Sequence, residues 1–307
     1  MPTAPLKIPR IFYMMKNPFS LFDFLGYIIP GAFTLLVIFY FVRMDPLDFV
    51  NPMRLDEMIT EIKGWLNASE SIVSCSVFLI LSYITGHLVA YISSITIEKF
   101  IIWWYGFPSE YLLVDEGRWH ILHDGMSMAR NKNCGYIFEI VRTYLLRIVV
   151  SLVLFPILVP TVIVKIIGGD GFFVKALDAY LRDIILCKRK ALFKHLSLPD
   201  SSHYEKVDYH RVIYHYVYEK AGSHRQKMDN YVALYDFLRS ITLIFVGIFM
   251  YVMTYVFWSD CKIGLYYWLS LGGLLVITYL FYMGFFKFYR RFTLEAFMCL
   301  VSTPELK

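Results

Sequence analysis

Four stretches of the chain run without a charged residue for the length of a membrane crossing. They are 24–42, 71–97, 240–259 and 263–286, of 19, 27, 20 and 24 residues. An α-helix rises 1.5 Å per residue, so about 20 apolar residues cross the hydrocarbon core. The pattern therefore predicts four transmembrane helices. A fifth run, 148–164, holds 17 uncharged residues but carries Pro156 and Pro160 in its middle. As a straight helix it would reach only about 25 Å. Each proline also removes an amide donor and crowds the preceding turn.

Charge separates the two readings of that fifth run. Lys and Arg gather on the cytoplasmic side of membrane proteins. If 148–164 turns back, 26 of the 30 Lys and Arg fall on one side; if it crosses, the better orientation places 20 there. The sequence thus predicts a re-entrant or interfacial hairpin bent within 155–160, with a fifth span as the alternative.

The expected organisation follows. Segment 1–23 is cytosolic. A loop at 43–70 lies outside and is acidic, with Asp45, Asp48, Asp56, Glu57, Glu61 and Glu70. Regions 98–147 and 165–239 form a small cytosolic helical domain, the second strongly basic. The basic run Lys287–Phe292 closes the last span, leaving 287–307 as a cytosolic tail. Lys7, Arg10 and Lys16 precede the first run without a cleavage pattern, so that run is expected to stay as an anchor. The fold class is an all-α polytopic protein of a plasma or inner membrane, with both termini cytoplasmic.

The soluble regions read as helical. In 172–195, Phe173, Leu177, Tyr180, Leu181, Ile184, Ile185 and Phe193 recur with near-helical spacing. In 204–220, Val207, Tyr214, Val217 and Tyr218 do the same. Gly106 and Pro108 break the chain after the second span.

Composition agrees with the pattern. The chain is 58% hydrophobic and 18% charged. Its mean hydropathy is +0.53, too apolar for a soluble domain. Trp65, Trp103, Trp104, Tyr105, Trp258, Tyr266, Tyr267 and Trp268 gather near span ends, where amphipathic rings favour the interface.

Candidate chemistry concentrates on the second span. Ser82, Gly86, Ala90 and Ser94 recur every four residues as a small-residue ridge, suited to close helix packing within one chain or between copies. Ser74, Thr85, His87, Ser93 and Glu98 make this the most polar span. An ionisable group at depth faces a bundle interior or a watery path, so these residues are pore-lining candidates. The competing reading is a His87 bonded to a neighbouring helix.

Weaker signals lie elsewhere. His120, His123 and Asp124 share a helical face and offer metal-ligand types, but no HExxH arrangement, so no metal is expected. Lys188, Arg189, Lys190 and Lys194 form a basic juxtamembrane group that would attract anionic lipid headgroups at about 1 kcal/mol each. A phosphate-bearing ligand is the alternative. Five histidines crowd 195–224 without a ligand spacing, and the five cysteines are scattered with no CxxC. Asn67-Ala68-Ser69 is a glycosylation triplet. Phosphate-loop, dinucleotide and GxSxG motifs are missing from the sequence.

These features point to a homo-oligomeric pore or channel-like effector gated through its cytosolic domain. The alternatives are a membrane anchor or sensor that recruits a cytosolic protein partner, and a lipid-modifying enzyme using His87, His120, His123 and Asp124. The expected partners are the bilayer, anionic headgroups and further copies of the chain. No catalytic residue, cofactor or nucleic-acid surface is expected.

Overall fold

The structure, a computed structural model, describes residues 21–43, 60, 64, 71–113, 134–169, 174–198, 209–220, 222, 224–258 and 264–303. The first helix, α1 (Ile29–Arg43), is entered through Leu21–Asp23 and a π-helical turn, Phe24–Ile28. Helix α2 (Ser71–Ser93) continues through a second π-helical turn, Ser94–Glu98, into α3 (Lys99–Tyr105). Then come α4 (Pro108–Tyr111), α5 (Cys134–Val153), α6 (Phe155–Ile166), α7 (Ala179–His195), α8 (Tyr209–Lys220), α9 (His224–Trp258) and α10 (Leu265–Ser302). No strand occurs among the described residues. Among the described residues, four helical stretches are long and apolar enough to cross a membrane: Phe24–Val42, Val73–Tyr111, His224–Trp258 and Tyr267–Ser302. The chain is an integral membrane protein on that basis.

Helices α9 and α10 hold 35 and 38 residues, which is roughly 52 and 57 Å of length. A hydrocarbon core of about 30 Å leaves some 20 Å of each outside it. They run antiparallel. Phe245 stacks on Phe281 at 5.1 Å between ring centroids, and Tyr235 meets Tyr289 at 5.4 Å and Phe292 at 5.9 Å.

The expected tail after Phe286 is instead the continuation of α10. Lys287 and Arg291 are exposed on one side, while Phe292, Ala296, Phe297 and Leu300 are buried on the other. The basic run is the solvated face of an amphipathic helix, not its end.

What α10 buries there is a helical layer. Ile185 and Leu192 of α7, Ile213 and Val217 of α8, and Met228 of α9 join Phe292, Phe297 and Leu300 in one core. The same core continues to Val246, Tyr282 and Phe285 within the spans. A second core fills the space between α2, α9 and α10 with Val89, Ile244, Ile248, Phe249, Val252 and Leu274. Where water is the alternative, each full burial contributes about 1.5–3 kcal/mol. Between spans that gain is absent, and packing shape decides. Helix α7 begins at Ala179 rather than 172. Asp178 caps it, its Oδ1 accepting from the Leu181 N–H at 2.8 Å, and the preceding Leu177 N–H donates to the Leu112 carbonyl at 3.0 Å.

The proline-bearing run is L-shaped. α5 and α6 meet at 94°, and the bend falls on Leu154, at φ −87 and ψ 22, just ahead of the expected 155–160. Pro156 sits in the first turn of α6, where no amide donor is needed. Pro160 stays inside the helix. Arg147 lies over Trp103 at 5.5 Å, and Lys165 over Trp104 at 5.6 Å and Tyr105 at 5.9 Å. Cations from both sides of the bend therefore meet consecutive rings of α3.

α1 and α2 touch backbone to backbone. A Cβ on Gly31 would strike the Ser82 carbonyl, and one on Gly86 would strike the Tyr27 carbonyl. Glycine is required at both places by space alone. Gly31→Ala and Gly86→Ala should each cost about 1–3 kcal/mol through overpacking, lowering the thermal midpoint in detergent. Gly273→Ala, which meets nothing within 4 Å, should leave the midpoint unchanged or raise it.

Candidate functional site

The second span presents two faces. Ser82, Gly86, Ala90, Ser93 and Ile97 are buried, whereas Ser74 and His87 are exposed and Thr85 is half-buried. Three members of the small-residue ridge thus turn inward, with Gly86 pressed against the π-helical turn before α1. Ser94 leaves the ridge and is half-buried. Steps of four residues drift by about 40° each at 3.6 residues per turn, so Ser93 takes the next inward place. The hydroxyls are largely spent on their own helix. Ser82 Oγ donates to the Phe78 carbonyl at 2.7 Å, and Ser94 Oγ to that of Tyr91 at 2.9 Å.

His87 sits in an aromatic clamp. Its ring stacks on Tyr27 at 3.8 Å and meets the edge of Tyr83 at 4.5 Å, yet the residue remains exposed. At about 100° per residue, Ser76, Tyr83, His87 and Tyr91 fall within roughly 40° of one direction on α2. Ser74 and Thr85 lie on other sides.

Ser93 and Glu98 belong to an internal ion cluster. The Arg239 side chain of α9 is only 9% exposed. Its Nη1 pairs with Glu98 Oε2, its Nη2 lies 2.7 Å from Asp236 Oδ1, and its Nε donates to Ser93 Oγ at 3.2 Å. Ser93 Oγ in turn donates to the Ala90 carbonyl at 2.9 Å. The π-helical turn makes this possible. Five residues of α-helix would rotate Glu98 about 140° away from Ser93. A turn closed by i→i+5 bonds takes those five residues slightly past one revolution, so both side chains face α9. Sequence reasoning missed Arg239 and Asp236. The available signal was an acid closing one uncharged run, Glu98, and a base immediately preceding another, Arg239.

The remaining candidates are dispersed. Lys188 Nζ donates to the Thr303 carbonyl at 3.3 Å, and the Arg189 guanidinium lies 4.3 Å above the Tyr209 ring. Lys190 and Lys194 are exposed. The four cations are therefore not one patch. His210 packs among Tyr214, Phe292 and Phe297, and His195 meets the edge of Tyr216. His120, His123 and Asp124 lie outside the described residues.

Removing one partner of a buried ion cluster strands the others, at about 3–5 kcal/mol. Arg239→Ala should lose that much, read as a fall in thermal midpoint or in the folded fraction extracted from membranes. Adding Glu98→Gln and Asp236→Asn should recover most of the loss, since no buried charge is then left alone.

No protein-family model, curated protein or solved structure matches the chain, so its role is argued from its own geometry.

Proposed function

We propose that the protein is a homo-oligomeric, pore-type membrane effector whose path runs between subunits along α2 and whose gate is set by the helical layer on the cytosolic side. The observation that carries this reading is the exposure of His87. It lies eleven residues before Glu98, roughly 16 Å along the axis, at a depth where lipid surrounds an isolated bundle. Ionisable groups at such depth face a protein interior or water. The bundle interior is an apolar core with the Arg239 ion cluster beside it, and the exposed His87 faces neither, so its polar surroundings come from further copies of the chain. The stripe it shares with Ser76, Tyr83 and Tyr91 lines the path. Ser93 and Glu98 hold α2 against α9 instead.

Topology supports the gating half. The cations at the two ends of 148–164 reach consecutive rings of α3. That placement favours a run that dips into one interface over a run that crosses. Four spans then put both termini and the α7–α8 layer in the cytoplasm, as the charge bias does. The core shared by α7, α8, α9 and α10 couples an event on that layer to the spans. Anionic headgroups are available to Lys190 and Lys194.

Cysteine labelling should report Ser202 and the C-terminus inside and Trp65 outside. External labelling at Ser202 would restore a fifth span.

Side chains that ring a path set which ions pass through it. His87→Ala should therefore change the conductance or the ion selectivity of the current in planar bilayers. Current with unchanged conductance and selectivity in His87→Ala removes His87 from the path. Folded oligomer that carries no current under any condition favours the anchor that recruits a cytosolic partner.

A further inference from the structure

Beyond the spans, the start of α9 meets the last turns of α10. His224 Nδ1 lies 2.9 Å from Glu295 Oε1, and Lys227 Nζ lies 2.9 Å from the same carboxylate. Cys299 follows Glu295 by one helical turn, with a buried, free thiol. The ligand atoms of His224, Glu295 and Cys299 all lie within 4.8 Å of one another. The geometry points to a binding site for a zinc-type transition-metal dication at His224, Glu295 and Cys299, clipping the two ends of the helical hairpin together.

The donor set argues for that class of ion. One imidazole nitrogen, one carboxylate oxygen and one sulfur fill three positions of a tetrahedron and leave the fourth to water. A thiolate selects against magnesium and calcium, which prefer oxygen. The site is also more than an acidic surface cluster. Glu295 is 12% exposed and Cys299 4%, while His224 is 49% exposed and gives access from solvent. A tetrahedral ion with bonds of about 2.0–2.3 Å holds its ligand atoms roughly 3.3–3.8 Å apart. The separations here are no greater than 4.8 Å, so the ligand atoms need to close by about 1 Å at most.

Lys227 is the built-in competitor. Its ammonium occupies the carboxylate that the ion would take, and with 51% of its side chain exposed it can turn to water when the ion arrives. The plain alternative is an ionic clasp of His224, Lys227 and Glu295 with no metal role. The two accounts differ in sign at Lys227: a clasp needs the lysine, whereas a metal site works better without it. This inference does not rest on conduction.

The test is titration of the full-length, untagged protein in mild detergent with cobalt(II), then with zinc(II) in competition. One cobalt per chain should give a thiolate-to-metal charge-transfer band. Cys299→Ser should abolish the band, and Cys187→Ser, at an exposed thiol, should leave it intact. His224→Ala should weaken binding by more than about tenfold, since even outer-shell partners are worth that much. Lys227→Met should tighten it. His224 and Lys227 are exposed, so those variants retain the fold even if Cys299→Ser does not. Absence of the band in the unmodified protein, its survival in Cys299→Ser, or weaker binding in Lys227→Met would overturn the site.

Discussion

The antiparallel seam between α9 and α10 joins two solvents. Over the bilayer-length part, Phe245 stacks on Phe281 and Leu238 lies beside Gly284; beyond it, Tyr235 packs among Phe285, Tyr289 and Phe292. Lipid gives no hydrophobic gain between helices, so the inner part depends on shape. The outer part adds the burial of aromatic surface from water. Because neither helix breaks at the boundary, α7 and α8 dock on rods that are also membrane spans. Among the described residues the layer has no core of its own. It shares one with Val246 and Tyr282, so the layer packs directly against helices that are also spans.

The first two spans attach to this seam by different physics. α1 holds α2 through the contact of Gly31 and Gly86 with opposing backbone. α2 holds α9 through Arg239, which binds Glu98, Asp236 and Ser93 at once. A buried guanidinium adds little net stability over an apolar substitute but penalises any arrangement that strands it. It therefore fixes the rotation and height of α2 relative to α9 more than it strengthens their association. Each attachment has a π-helical turn beside it, Phe24–Ile28 carrying Tyr27 and Ser94–Glu98 carrying Glu98. Such turns are found often at functional sites because they re-aim a side chain without ending the helix. Here one sets the ring that stacks on His87, and the other turns Glu98 to Arg239.

The positions of the four long apolar helices were legible in the chain, because lipid imposes a one-dimensional requirement. Every backbone amide must be satisfied within its own segment, and every outward side chain must tolerate hydrocarbon. Long uncharged runs such as 240–259 and 263–286 report that directly. What lay beyond the runs was harder to read. Lys287, Arg290 and Arg291 look like a terminator until Phe292, Phe297 and Leu300 are seen against α7 and α8, for a long amphipathic helix is only as long as the partner it covers. The bend at Leu154 was misplaced by the attention prolines attract. Pro156 is compatible with the first turn of a helix and Pro160 remains within it, and the bend falls on Leu154, two residues before the first proline.

By itself, the sequence determined that the protein is a helical membrane protein and that its second span is the polar one. It also marked His87, Gly86 and Glu98 as residues whose types need an explanation at their depth. Only the tertiary structure decided which way each of them points. Gly86 meets the Tyr27 backbone, His87 faces outward beside Tyr27 and Tyr83, and Glu98 pairs with Arg239 across 141 residues of chain. The physical reason is that direction on a helix depends on turn geometry and on neighbours. A single π-helical turn shifts every later residue around the axis. The partner that rewards one direction over another lies on a helix that is remote in sequence.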